Sequence, residues 1–282
     1  MRPVLTLLSC EAFSDQWQSA LNAAMAIEVF HNFTLLHDDI MDNAAVRRGK
    51  PSVYAKWGGN VAILSGDAML ITAYKLLAGL GGERLARVIN IFNDMALKVC
   101  EGQQYDMDFE TQPKVAVAEY MNMIELKTAA LLCGAVTIGA ILAGASEEDV
   151  QKLHKFATEV GLAFQLQDDL LDSYGDEQLG KKIGGDILEG KKTYLMIISL
   201  SHATEEQREI LRSTHLDKSL TDEQKIAKVK AVYDAIGAKQ MTEQQIAVRI
   251  SRALAILDTI SVPAERLEYM KSYVESLVGR KK

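Results

Sequence analysis

Two clusters of carboxylates dominate the chemistry open to this chain of 282 residues. Asp38, Asp39 and Asp42 form Asp-Asp-Ile-Met-Asp, and Asp168, Asp169 and Asp172 form Asp-Asp-Leu-Leu-Asp. On a helix, positions i and i+4 share a face, so the first and last carboxylates of each cluster project from neighbouring turns, with roots roughly 5 to 6 Å apart. Like charges at that spacing repel, and aspartate is a poor interior helix former, so each cluster costs stability unless a cation bridges it. Hard divalent cations take carboxylate oxygens, and Mg²⁺ keeps water and completes its shell with substrate phosphates. One such string reads most simply as a solvated acidic helix end. Two in one chain favour metal and diphosphate chemistry, with all six aspartates as candidate metal ligands.

The cations that a diphosphate also needs lie close in sequence. Arg47 and Arg48 follow the first cluster, and Lys181, Lys182, Lys191 and Lys192 follow the second. Lysine and arginine can bind phosphate directly while Mg²⁺ bridges it to carboxylates. Residues 175–192, rich in glycine and lysine and without apolar periodicity, read as a loop suited to covering phosphate, with a solvated connector as the plain alternative. The chain holds no Gly-x-Ser-x-Gly, Walker loop or His-Glu-x-x-His, and its five histidines do not cluster with cysteine. His37 reads as support for Asp38 or as a surface residue, and Phe30 and Phe33 read first as core.

Helices must carry these groups. Only four prolines occur, and none lies between Pro113 and Pro263. Start signals recur at Ser146 with Asp149, Thr204 with Gln207 and Thr221 with Gln224, and Pro263 suits a first helical position. Residues 14–42 place Ala23, Ile27, Phe30 and Thr34 on one stripe; residues 149–172 do the same with Leu153, Phe156, Val160, Phe164 and Leu171. No run alternates with period two for long enough to make a sheet. The reading is all-α, one continuous domain over residues 1–282, with breaks at 44–59, 111–115 and 175–192. Residues 128–146 carry no charge and are long enough to cross a bilayer. Their alanines and glycines, with Thr128, Thr137 and Ser146, favour a helix buried among helices instead.

Composition narrows the function further. Lysine and arginine total 31 against 38 acidic residues, a net charge of −7, which argues against nucleic acid as a partner. Three widely spaced cysteines suit neither a disulfide framework nor a zinc cluster. No signal-peptide pattern opens the chain, so a reducing cytoplasm is the expected compartment.

Taken together the motifs resemble the trans-isoprenyl diphosphate synthases, the polyprenyl synthetase family that makes farnesyl and geranylgeranyl diphosphates. The first aspartate motif runs on through Asn43 to Arg47-Arg48-Gly49-Lys50-Pro51; the second is preceded by Gln165-Leu166-Gln167. Leu179-Gly180-Lys181, Gly184-Gly185-Asp186 and Glu189-Gly190-Lys191-Lys192-Thr193 match the family's lysine loop, and Gly102-Gln103, Asp106 and Lys127-Thr128 stand at family-like positions. The resemblance implies a large helical bundle around a deep central cavity, a homodimer, and three Mg²⁺ per active site when diphosphate is bound. It implies that Asp38, Asp42 and Asp168 hold metal and that Arg47, Lys127, Lys181 and Lys191 hold the allylic diphosphate. Arg2, His31 and Arg48 would hold isopentenyl diphosphate, with Thr128 and Gln165 near the developing allylic cation. Asp38, Asp42, Asp168, Lys127 and Lys181 are the catalytic set, and residues 175–192 become a lid that excludes water.

The first motif lacks a two-residue insertion, which resembles geranylgeranyl more than bacterial-type farnesyl synthases, so a C15 to C20 product with C20 favoured is expected. Phe33, five before Asp38, would form the cavity floor. The family's Gly-Gly-Lys-x-x-Arg-Pro is represented only by Arg2-Pro3, so its lysine is missing, and Met1 is expected to be an internal methionine of a longer natural chain. Two other readings stand: a class I terpene synthase, against which the intact second aspartate motif speaks, and a non-catalytic subunit, which the missing lysine favours.

Overall fold

Side-chain caps start the helices where the sequence signals them. Ser146 Oγ accepts from the Asp149 amide and donates to its carboxylate, and Thr204 and Thr221 are capped reciprocally with Gln207 and Gln224. The protein, seen in a computed structural model, is described over residues 1–175 and 183–278. It forms two units, one of Met1–Leu97, Ala130–Thr158 and Leu254–Tyr273, the other of Lys98–Ala129, Glu159–Ala253 and Val274–Lys282.

The first unit opens with α1 (Arg2–Phe13) and α2 (Leu21–Met41), continues through a short hairpin, β1 (Val46–Arg47) and β2 (Lys50–Pro51), and then α3 (Val53–Trp57) and α4 (Gly59–Ala78). It also includes α7 (Ala130–Ala143), the start of α5 (Leu85–Thr111) and the start of α8 (Glu147–Tyr174). Residues Ala130 to Ile141 of α7 are all buried, as the uncharged, small-residue stretch predicts. A Cβ at Gly139 would lie 2.2 Å from the Thr6 carbonyl oxygen of α1, so glycine is what lets the two helices approach this closely. Ser9 fastens the contact by donating to the Val136 carbonyl at 2.6 Å.

The second unit contains the rest of α5, α6 (Val117–Ile124), most of α8, then α9 (Gly185–Glu189), α10 (Tyr194–His202), α11 (Glu205–Ser213) and α12 (Asp222–Ile236). Most of α13 (Ala238–Leu257) and the end of α14 (Glu268–Val278) complete it. Its core gathers Phe109, Tyr120, Leu166, Leu195 and Tyr233 among others. Between α6 and α7 lies one π-helical turn, Glu125–Ala129.

Four local expectations need correction. The helix expected over residues 14–42 starts at Leu21, after a 3-10 turn at Trp17–Ala20. Residues 44–59 hold a hairpin and a helix rather than a plain break; with Arg48 and Gly49 both at positive φ, 53° and 73°, its two-residue turn has the primed geometry that matches strand twist. The glycine- and lysine-rich segment contains α9. Pro263 precedes a 3-10 turn, Ala264–Arg266, instead of starting a helix directly.

Gly139→Ala should lower stability by about 1–3 kcal/mol, because the clash is with backbone that cannot move aside and outweighs alanine's better helix propensity. A urea midpoint at or above that of the wild type would contradict this packing.

Candidate active site

In the first unit, α2 delivers the first aspartate cluster at its C-terminal end, with Asp42 as C-cap. A helix turns about 100° per residue, so Asp39 points away from the face shared by Asp38 and Asp42. Asp39 is buried while Asp42 is exposed and Asp38 is intermediate. Arg47, on the hairpin that follows, donates from Nε to Asp39 Oδ1 at 2.8 Å, and its Nη2 lies 2.5 Å from the same oxygen and 3.4 Å from Asp38 Oδ2. The guanidinium thus neutralises the buried carboxylate and leans on the half-buried Asp38. Arg48 supplies the left-handed turn residue, a conformation that costs a non-glycine residue energy and tends to persist at functional sites.

Arg2, His31 and Arg48 form a second cationic neighbourhood in this unit. Burial lowers the Arg2 pKa to about 10, with Glu28 opposing and Arg48 adding to the shift, so it stays charged at neutral pH. Burial, reinforced by the charges of Arg2 and Arg48, drives His31 down to about 3, so its imidazole is neutral, with one N–H donor and one acceptor nitrogen. Arg2 Nε is buried without a hydrogen-bond partner, donor capacity that an anionic ligand could use. Phe30 is core, edge-on to Phe92, and Phe33 packs edge-on against the His37 ring.

The second unit repeats the arrangement of the first. On α8, Asp168 is exposed, Asp172 is intermediate and Asp169 between them is buried. Among the described residues no arginine meets the buried carboxylate: Tyr120 Oη donates to Asp169 Oδ2, Gln165 Nε2 donates to Oδ1 at 3.0 Å and the Tyr194 amide approaches Oδ2 at 3.4 Å. Burial raises the Asp169 pKa against the pull of those donors. Gln165 Oε1 in turn accepts from the Thr128 hydroxyl at 2.7 Å. Lys127 and Thr128 both stand in the π-helical turn, a distortion frequent at functional sites. A Cβ at Gly102 would come within 2.2 Å of the Lys127 backbone nitrogen, so the glycine makes room for that turn, and Lys127 Nζ reaches Asp106 Oδ2 at 2.6 Å.

Beyond α8, Asp172 Oδ2 accepts from the Asp186 amide at 3.0 Å, which brings the Asp186 carboxyl into the same field. Burial and then the neighbouring Asp172 and Asp169 charges push the Asp186 pKa up to about 8. Lys191 lies 3.1 Å from Glu189 and 4.0 Å from Asp186. Lys192 takes a different part: its Nζ donates to the Phe109 and Glu110 carbonyls near the end of α5. Lys181 and Lys182, and with them the first part of the expected lid, fall outside the described residues.

Among the described residues, no three His, Cys, Asp or Glu side chains converge on one point as a ready-made metal site. That suits a cation held by one or two carboxylates and completed by phosphate and water, the habit of Mg²⁺. Asp38 and Asp42 on α2 could hold such a cation in the first unit, and Asp168 and Asp172 on α8 could hold one in the second. Tyr120, Glu28 and Asp186 have no role legible in the sequence. Asp186 stands in the Gly184-Gly185-Asp186 motif, whereas Tyr120 and Glu28 carry no local signal.

Comparison with known proteins agrees with this chemistry. The family model described as Polyprenyl synthetase matches residues 1–236. A short chain isoprenyl diphosphate synthase of Methanothermobacter thermautotrophicus is 40% identical over 273 residues, covering 96% of this chain and 80% of its own. A solved geranylgeranyl pyrophosphate synthase superposes with TM-score 0.94 at 43% identity, covering 100% of this chain and 87% of that one. Another, from Corynebacterium glutamicum and complexed with isoprenyl diphosphate and magnesium, gives 0.91 at 29% identity, covering 99% and 86%. A fold shared end to end, with both aspartate clusters standing on it, is too much for analogy alone, and the chain belongs to the polyprenyl synthetase family.

Proposed function

We propose that this protein is a short-chain prenyltransferase that joins isopentenyl diphosphate to an allylic diphosphate (dimethylallyl, geranyl or farnesyl) and yields a C15 to C20 prenyl diphosphate, with C20 favoured. One observation carries the reading: in both clusters the middle carboxylate is buried and satisfied by protein donors, while the outer two are more exposed than it is. A merely solvated helix end has no reason to repeat that division. When bound, Mg²⁺ would act as a Lewis acid on the diphosphate oxygens, neutralising charge as the allylic C–O bond breaks.

The chain's own groups do the rest. Separating a carbocation from a diphosphate in an apolar site is prohibitive unless the leaving oxygens are already countered. Arg47, Lys127 and Lys191 supply fixed positive charge for the allylic diphosphate. Arg2 and Arg48, with the neutral His31 N–H, suit the second diphosphate, that of isopentenyl diphosphate. Its alkene carbon bonds to the allylic carbon as the C–O electrons leave with diphosphate, and the proton then lost goes to a departing diphosphate oxygen.

As partner, a second copy of this chain fits α4. Val61, Leu64 and Ile71 lie on one stripe of that helix and are 46%, 68% and 62% exposed. A patch of that kind marks an interaction surface. We infer a homodimer through it.

Two outcomes test these readings. Asp38→Ala or Asp168→Ala should cut turnover at least about a hundredfold while the far-ultraviolet circular dichroism stays that of the wild type; wild-type rates in either variant would contradict the site. The joint change Leu64→Glu and Ile71→Glu should convert a dimer to a monomer in light scattering, and a monomeric wild type would overturn the pairing.

A further inference from the structure

Tyr120 is a buried side chain that reaches the second aspartate cluster from a helix without any motif. It is 2% exposed, on α6, and its hydroxyl donates to Asp169 Oδ2. From Asp169 a chain of hydrogen bonds runs in one direction. The carboxylate only accepts, so the amide nitrogen of Gln165 must face it; that leaves Gln165 Oε1 turned to Thr128, whose hydroxyl must then donate. With its proton committed to Gln165, Thr128 keeps its remaining lone pairs for its surroundings.

We propose that Tyr120 is a positioning residue for prenyl transfer: by pinning the Asp169 carboxylate it fixes the Gln165 amide and so sets the Thr128 hydroxyl with its oxygen, not its proton, toward the allylic cation. The inference rests on the prenyltransferase reading, since only a developing positive charge gives the direction of that dipole a consequence. A preoriented dipole of this kind needs no reorganisation as charge appears, which is where such groups contribute most. The π-helical turn serves the same end, because it presents Thr128 to α8 beside Lys127. Tyr120 itself touches neither diphosphate group in this scheme; it acts through two intermediaries.

The test is steady-state kinetics and product analysis on the full chain, with isopentenyl diphosphate, farnesyl or geranyl diphosphate and Mg²⁺. Tyr120→Phe keeps the ring and removes the donor. Loss of such a supporting hydrogen bond should lower kcat roughly ten- to a hundredfold with KM for both diphosphates near wild type. The fraction of allylic substrate released as prenyl alcohol, the cation captured by water, should rise. In a double-mutant cycle, Tyr120→Phe should add little in a Thr128→Val background, because both changes remove the same dipole.

If Tyr120→Phe does not fold, Asp169→Asn carries the same test: the new amide nitrogen faces Gln165, forces its amide to turn over and should give the same loss of kcat and the same rise in alcohol. A kcat within twofold of wild type in the folded variant, or strictly additive effects with Thr128→Val, would overturn the proposal. A wild-type protein that makes no elongated product would instead overturn the prenyltransferase reading, and this inference with it.

Discussion

A buried aspartate needs partners, and the structure solves that problem twice by different means. A carboxylate taken out of water without compensation costs several kcal/mol. At Asp39 the answer is a charge: the Arg47 guanidinium, carried on a hairpin whose turn has to place Arg48 in the left-handed region. At Asp169 the answer is three neutral donors, the Tyr120 hydroxyl, the Gln165 amide and the Tyr194 backbone N–H. In each unit the proposed chemistry needs, in a fixed place, a residue that also satisfies the buried carboxylate. Arg47 is held beside Asp38, and Gln165 is held against Thr128. On the proposed function, the hydrogen bonds that satisfy the buried carboxylates are also the ones that would position substrate.

Close backbone approach is the second condition. Gly102 lets α5 lie against the π-helical turn that carries Lys127 and Thr128, and Gly139 lets α1 lie against the wholly buried α7. Lys192 adds a fastening, donating to two carbonyls near the C-terminal end of α5, where the helix dipole favours a cation. Its neighbour Lys191 remains among the acidic groups of α9, so two adjacent lysines of one motif serve separate ends, one structural and one electrostatic.

The helical class was legible because caps and small-residue patterns are local. Ser146, Thr204 and Thr221 begin helices through side chains three residues away, and the burial of α7 follows from its lack of charge and its small residues. The hairpin was not legible, since strands of two residues show no alternation and its turn uses an arginine where glycine or asparagine is usual. α9 was hidden by the glycines that flank it. Within the site, the helical period already turns Asp39 and Asp169 away from their neighbours, yet the opposite assignment, six equal ligands, follows as naturally from composition. What the sequence could not reveal is which donor meets Asp169: Tyr120 comes from another helix, and nothing about the residues around it marks the contact.

The account stands or falls on whether the outer carboxylates work through a divalent cation on a diphosphate. The direct measurement is chain elongation from isopentenyl and allylic diphosphates by purified protein stripped of metal with excess chelator and then resupplied with Mg²⁺. Elongated product should fall to background on chelation and return with added Mg²⁺. Elongation that continues undiminished under chelation would contradict the central claim.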